Sequence, residues 1–217
     1  MTGQEGPVSS WNESPKSDPL GTHLRFGEFE LTGAIRPAPR GGIVPREGFR
    51  VDTYSSGNAE ILMLAASISA ENLFDVMIAM LSRLSDEVDV VVGSHHGLDG
   101  TANEPREVVL EHVAIGNLIS TCHTFAESFM QDGCLSLAVI DPEIPVEIQL
   151  DEHKIFFVYG KNLARFQAIL RRLSIDRDEN LPLISDGEHI HMTSLRYRDA
   201  FEAICEDLRA GQPNENT

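Results

Sequence analysis

Two histidines separated by one residue have the type and spacing that first suggest chemistry in this sequence. His189 and His191 lie in EHIHM, a segment that we predict to be a short strand. Side chains at positions i and i+2 of a strand share one face, so both imidazoles can turn toward one metal ion. The same alternation would place Ile190 and Met192 on the opposite face, toward the core. The spacing therefore indicates that His189 and His191 are candidate ligands of a metal centre.

A second pair of histidines, His95 and His96, follows the β-branched run VDVVVG. Adjacent residues of an extended strand point to opposite faces, so these two cannot both bind one ion unless the strand breaks. A metal centre needs a third ligand, for which we take His95 as the candidate beside His189 and His191. The simpler interpretation is that the histidines are dispersed and solvated on an exposed sheet face.

Positive charge gathers in one stretch, YGKNLARFQAILRR. Gly160 ends a predicted strand, and Lys161 and Arg165 stand at the start of the helix that follows. Free backbone amides at the amino end of a helix, together with a lysine, can hold an anion. Gly160, Lys161 and Arg165 are therefore the candidate anion-binding residues. The alternative is a solvated helix face that balances an acidic body.

Other common catalytic and cofactor patterns are missing from the sequence. It contains no GxGxxG or GxxxxGK[ST] phosphate loop and no GxSxG elbow. Ser94 stands beside His95, but no acid is positioned by sequence to complete a relay. Three cysteines, Cys122, Cys134 and Cys205, form no CxxC pair and predict neither a disulfide framework nor a zinc knuckle. No cofactor is identified by these patterns.

The net charge of −17 is unevenly distributed along the 217 residues. Residues 1–50 hold six acidic and six basic residues, whereas the remainder holds 28 acidic and 11 basic residues. Such an acidic body repels nucleic acid and anionic membranes, because binding to phosphates depends on lysine and arginine. The sequence has no apolar run of membrane-spanning length, and its start lacks the layout of a secretion signal. We therefore expect a cytoplasmic protein that binds neither nucleic acid nor membrane.

The elements that must position these side chains follow from apolar periodicity. Period-two patterns predict strands at 49–54, 59–67, 88–93, 106–114 and 134–141, and helical periodicity follows the second and the fourth of them. This order, strand, helix, strand, strand, helix, strand, predicts an α+β fold with a ferredoxin-like split βαβ, an antiparallel sheet with helices on one face. Further strands and helices after residue 143 suggest two tandem units that form one extended sheet.

The predicted domain organisation follows from the same pattern. We expect a largely flexible N-terminal arm at 1–47, a ferredoxin-like unit at 48–142, a second α+β unit or extension at 143–209, and a disordered tail at 210–217.

For function, the absence of catalytic motifs favours a non-catalytic module that binds a protein partner or a small ligand. One alternative is a metal-dependent hydrolase or oxygenase that uses His189, His191 and a further histidine from the region 95–112. A second alternative is a homo-oligomer whose edge strands pair across a twofold axis.

Overall fold

The computed structural model describes residues 24–38, 42–56, 59–96 and 105–211. Its strands are β1 (Arg25–Phe26), β2 (Phe29–Glu30), β3 (Ile35–Pro37), β4 (Gly48–Ser56), β5 (Ala59–Ser67), β6 (Glu87–Ser94), β7 (Arg106–Ala114), β8 (Leu135–Asp141), β9 (Val146–Leu150), β10 (Ile155–Gly160) and β11 (His189–His191). Its α-helices are α1 (Ala70–Leu81), α2 (Ile115–Thr124), α3 (Ala126–Gln131), α4 (Ala164–Arg172) and α5 (Leu195–Ala210), and a 3-10 turn spans Ile184–Asp186.

Seven of these strands form one antiparallel sheet in the order β4-β5-β10-β9-β8-β6-β7. Alternation of apolar residues explains why these segments form strands. In β6, for example, Val90 and Val92 are fully buried on one face while Val91 between them is only partly buried. The predicted α+β class with an antiparallel sheet is therefore confirmed. The predicted extension of that sheet by the second unit is present for β9 and β10, whereas β11 pairs with β3 in a separate two-stranded sheet.

The strand order differs from the ferredoxin-like prediction. One part of that prediction is present, because β7 and β8 run in the same direction on either side of β6 and are joined through α2 and α3. The other connection, β5–α1–β6, passes over three intervening strands. Those strands include the β9–β10 hairpin, which we predicted to belong to a second unit. The hairpin enters this sheet because β10 pairs with β5 along six residues. The hairpin thus lies inside the sheet of the predicted first unit.

The main core lies between the helices and one face of the sheet. All five helices contribute side chains to it, so they cover the same face. Its largest fully buried residues include Phe129, Phe156, Phe166 and Phe201. On α1, Leu73 and Met77 face inward, in agreement with the helical spacing. The predicted arrangement of helices on one face is what the packing shows.

A smaller apolar cluster covers part of the opposite face of the sheet. Residues 24–37, which we expected to belong to a flexible arm, supply buried Phe29, Leu31 and Ile35 to this cluster. They pack on Ala65 and Ile155, which alternate with main-core residues along β5 and β10. The Glu30 amide also donates to Ser69 Oγ at 3.0 Å. This part of the predicted arm is therefore a packed element, because its apolar residues cover the sheet.

Three parts of the earlier predictions lie outside the described residues: the arm before residue 24, the loop 97–104 that follows the paired histidines, and the tail from residue 212. Within the described residues, every helix is too short or too polar to cross a membrane.

Candidate metal centre

The candidate centre lies at one end of the sheet, where a small strand pair meets the β9–β10 turn. β11 pairs with β3 in antiparallel register, so that His189 faces Pro37 and His191 faces Ile35. The Met192 amide donates to the Ala34 carbonyl, and the Gly133 amide donates to the Met192 carbonyl, each at 2.8 Å. These bonds fix the strand that carries both histidines against the start of β8.

The third histidine comes from the turn between β9 and β10. His153 lies in the sequence Asp151–Lys154, where the Ile155 amide donates to Asp151 Oδ1 at 2.8 Å. The ring centroid of His153 is 4.7 Å from that of His189 and 4.8 Å from that of His191. The rings of His189 and His191 are 5.1 Å apart. The three imidazoles therefore contact one another.

Each of the three rings is held through its Nδ1 atom by a group that accepts a hydrogen bond. His153 Nδ1 lies 2.8 Å from Asp151 Oδ2, His189 Nδ1 lies 2.7 Å from the Gly187 carbonyl, and His191 Nδ1 lies 2.6 Å from the Gly133 carbonyl. A carbonyl oxygen can only accept, so Nδ1 must carry the hydrogen in His189 and His191, and the Asp151 carboxylate favours the same tautomer in His153. In the neutral rings, all three Nε2 atoms consequently carry lone pairs.

Among the residues that the structure describes, no hydrogen-bond donor faces these Nε2 lone pairs. His153 Nε2 and His189 Nε2 are 3.0 Å apart, and each of the three residues offers a ring nitrogen within 4.8 Å of the others. Two ligands of one zinc ion at the tetrahedral angle are separated by about 3.3 Å. Two facing lone pairs repel unless a cation lies between them. The arrangement fits a transition-metal ion. A histidine that binds such an ion usually donates the N–H of its other ring nitrogen to an acceptor.

Charge around the three rings is unequal. Burial alone would lower the pKa of His153, but the hydrogen bond and charge of Asp151, together with Glu152, raise it above 6.5. Burial lowers the pKa of His191, and the neighbouring His153 and His189 act in the same direction. One proton on the cluster is therefore held mainly at His153, and it must leave when a metal binds.

A buried lysine anchors the turn that carries His153. Lys154 is 5% exposed, and its Nζ donates to the Leu135 carbonyl at 2.7 Å. Burial lowers the pKa of Lys154 to about 8, although Asp132, Asp151 and Glu152 oppose this shift. Its backbone is left-handed, with a φ of 62°. The lysine thus ties the turn to the first residue of β8.

The predicted metal ligands are only partly brought together. His189 and His191 lie in the group, whereas His95, the third candidate, is not a member of it among the described residues. The expectation of dispersed histidines does not hold for His153, His189 and His191. The predicted orientation of β11 is also wrong, because Ile190 and Met192 are 47% and 42% exposed. A three-residue strand paired only with β3 does not lay its second face on the core.

We predicted His95 rather than His153 as the third ligand, because His153 lies in a turn far from the other two histidines in sequence. The signal that was present is the spacing of Asp151 and His153, since a carboxylate two residues before a histidine can accept from its Nδ1 atom.

Of the predicted anion-binding residues, Gly160 and Lys161 line one cavity, and Arg165 is not part of its lining. The Arg165 guanidinium donates through Nη1 to the Arg83 carbonyl beyond the end of α1. The cavity is largely apolar and has a volume of about 380 Å³. The Ala164 amide at the start of α4 already donates to Asn162 Oδ1 at 3.0 Å. A helix end capped in this way has lost one of the amides that the anion site required.

Comparison with known proteins gives no family or relative from which residue roles could be transferred. No protein-family model, curated protein or solved structure matches the chain to a significant degree.

Proposed function

We propose that this protein is a metal-dependent enzyme whose centre is one divalent transition-metal ion bound by Nε2 of His153, His189 and His191. The observation that carries the proposal is the tautomer pattern: three Nδ1 atoms are engaged by acceptors, which leaves three Nε2 lone pairs in a group of rings that contact one another, with His153 Nε2 and His189 Nε2 3.0 Å apart. Isolated surface histidines have no reason to share this orientation. Imidazole ligands suit zinc, copper, iron and nickel.

Within metal-dependent enzymes, the ligand set favours hydrolysis or hydration over oxygenase chemistry. Non-haem oxygenases use two histidines and one carboxylate, whereas the group here contains three imidazoles. Three neutral ligands leave the full charge of the ion available to lower the pKa of a bound water. Three protein ligands also leave coordination positions free for water and substrate. The geometry therefore supports a metal-activated water as the nucleophile.

The chain's own residues have separable roles in this proposal. Asp151 orients His153 and raises its basicity, while the Gly187 and Gly133 carbonyls fix the rings of His189 and His191. Glu152 is the nearest free carboxylate of the turn, with Oε1 3.9 Å from His153 Nδ1. It is the candidate acceptor for a proton from bound water.

The test is metal binding measured by calorimetry on protein that has been stripped with a chelator. We expect one zinc ion per chain, and loss of that binding in His153→Ala and His189→Ala. His123→Ala is the matched control, because His123 lies in the last turn of α2, packs against Phe74 with ring centroids 5.1 Å apart, and is not a member of the proposed ligand group. Equal binding by His189→Ala and His123→Ala would contradict the proposal.

Catalysis is tested separately with an activated phosphodiester, bis-p-nitrophenyl phosphate, in the presence of stoichiometric zinc. We expect hydrolysis by the wild-type chain and by His123→Ala, and none above the free-zinc rate by His189→Ala. Tight zinc binding without any hydrolysis of esters or phosphodiesters would restrict the centre to a structural role.

Binding of a protein partner is a second candidate function, supported by the uncovered part of the outer sheet face. Tyr54, Val109 and Ile140 on that face are 47%, 61% and 38% exposed. Contiguous exposed apolar patches mark interaction surfaces, and Val109 and Ile140 lie on the two strands that flank β6. Light scattering of the wild type and of Val109→Asp would detect self-association through this face.

A further inference from the structure

A second polar group, separate from the proposed metal ligands, lies at the end of β6. Ser94 is the last residue of β6, His96 follows two residues later, and Asp132 lies between α3 and β8. Ser94 is 3% exposed, and the side chains of His96 and Asp132 are 7% and 0% exposed. His96 Nδ1 is 2.8 Å from Ser94 Oγ, and His96 Nε2 is 3.2 Å from Asp132 Oδ2. A hydroxyl, an imidazole and a carboxylate are thus aligned.

The direction of each hydrogen bond in this group follows from Thr193. Its hydroxyl donates its only hydrogen to Asp132 Oδ1 at 2.7 Å. Thr193 Oγ1 must therefore accept from His96 Nε2, which lies 2.8 Å away. In the neutral imidazole the hydrogen is then on Nε2 and the lone pair is on Nδ1. Ser94 accordingly donates its hydroxyl hydrogen to His96 Nδ1, which is the arrangement of a nucleophile and its base.

The same pattern argues against a second metal ion in this group. His96, Asp132 and Cys134 do offer ligand atoms within 4.8 Å of one another. In contrast to the three histidines of the proposed metal centre, His96 has no free lone pair, because Nε2 carries a hydrogen and Nδ1 accepts from Ser94. Within the described part of the chain, the buried Asp132 Oδ2 accepts no hydrogen bond, and it lies 3.2 Å from His96 Nε2. It is placed to balance the charge that His96 would gain on taking a proton.

Ser94 and His96 open onto a cavity of about 430 Å³, a volume suited to a small ligand. The other residues that line it are Arg106, Arg198, Asp199, Phe201 and Glu202. Their charges are matched, since Arg106 pairs with Glu202 at 2.6 Å and Arg198 pairs with Asp199 at 3.5 Å. Phe201 supplies an apolar wall, with the Arg106 guanidinium 5.1 Å above its ring. A lining with balanced charge and an aromatic ring fits a small uncharged molecule.

We infer that Ser94 is the nucleophile of an acyl-transfer site, that His96 is its general base, and that the substrate is a small uncharged acyl ester. Ser94 Oγ forms a bond to the acyl carbon while its proton moves to His96 Nδ1. The ester bond then breaks, and the leaving alcohol takes that proton from His96. Water, activated by the same nitrogen, hydrolyses the acyl-serine and restores the hydroxyl. Asp132 is a positioning residue that holds His96 and balances its charge.

This inference does not depend on the proposed metal centre, so its test uses protein that cannot form that centre. The His189→Ala chain is kept in chelator and treated with p-nitrophenyl acetate, and the reaction is quenched with acid during the first turnover, before the acyl-serine is hydrolysed. The modified residue is then located by mass spectrometry after digestion. We expect one acetyl group on Ser94. The label should be lost in His189→Ala/Ser94→Ala and should form at least about tenfold more slowly in His189→Ala/His96→Gln, because general base catalysis contributes about 100-fold or more.

Ser67→Ala in the same background is the matched control. Ser67 ends β5 as Ser94 ends β6, is 6% exposed, and is not part of the His96 group. Its substitution should leave acetylation of Ser94 unchanged. Absence of an adduct on Ser94, or equal total labelling of the Ser94→Ala chain, would overturn the inference. Labelling of Ser94 that requires added zinc would also overturn it, because the reaction would then belong to the metal centre.

Discussion

Replacement of Asp151 by asparagine tests the orientation of the proposed metal ligand His153 without removing the ligand itself. Asp151 accepts twice: Oδ2 from His153 Nδ1 and Oδ1 from the Ile155 amide, each at 2.8 Å. An asparagine has one oxygen for these two donors. That side-chain oxygen can accept from His153 Nδ1 or from the Ile155 amide, but not from both. The other donor then faces the NH₂ group of the asparagine and loses its hydrogen bond.

The size of the effect follows from the role of Asp151 as the partner of a ligand. Loss of a carboxylate that supports a metal-bound histidine typically weakens metal affinity by about 10- to 100-fold. This range corresponds to about 1.4 to 2.7 kcal/mol of binding free energy. The charge change contributes in the same direction, because Asp151 is among the groups that raise the pKa of His153 and thereby its basicity.

The assay is competition between the protein and a chromophoric chelator for zinc, with Asp141→Asn as the control. Asp141 Oδ1 accepts from the amides of Glu143 and Ile144 at 3.0 and 2.9 Å in the turn at the opposite end of β9. Both variants lose a carboxylate that stabilises a turn, but only Asp151→Asn touches a proposed ligand. Affinity within twofold of wild type for Asp151→Asn, or an equal loss in both variants, would refute the assignment.

Four further predictions concern the site and the core. Zinc affinity should rise with pH through 6.5 and level off only above it, because the raised pKa of His153 makes a proton compete with the ion, as calorimetry at several pH values would show. Gly133→Ala should weaken zinc binding, since a Cβ atom there would lie 2.2 Å from the Ala34 carbonyl oxygen and 2.9 Å from backbone atoms of Met192, which forces β11 away. Phe166→Ala should lower the free energy of unfolding in urea by about 3 to 5 kcal/mol, because the ring is fully buried. Cys122 should resist thiol reagents until the protein unfolds, since burial raises its pKa to about 12.

Local pattern predicted the elements well because each one is coded by neighbouring residues. The run AEILMLAAS is β5, and the spacing of Leu73 and Met77 gives the buried face of α1. The order of strands could not be predicted in the same way. Residues 62–67 pair with residues 155–160, and apolar strands of this kind offer many partners of similar quality. The pairing was therefore decided by the whole sheet, which is why the ferredoxin-like order was wrong.

The candidate sites show the same division between local and distant information. The i, i+2 spacing of His189 and His191 was visible in the sequence. The proximity of His153 to them could not be predicted, because side chains in a turn follow no periodicity that indicates which way they point. The expected burial of Ile190 failed for a related reason, since alternation tells which residues share a face but not which face meets the core. His96 and Asp132 meet only because β6 and β8 are adjacent.

The pairing of β3 with β11 joins an early segment of the chain to a late one. During synthesis, residues 35–37 emerge long before residues 189–191, so the proposed metal centre can assemble only after both strands have been made. A protease that clips the chain between β3 and β4 would leave the seven-stranded sheet uncut while freeing the mate of β11. If the proposed centre holds zinc, that ion would then be lost before the sheet unfolds, and metal content would report this cleavage early.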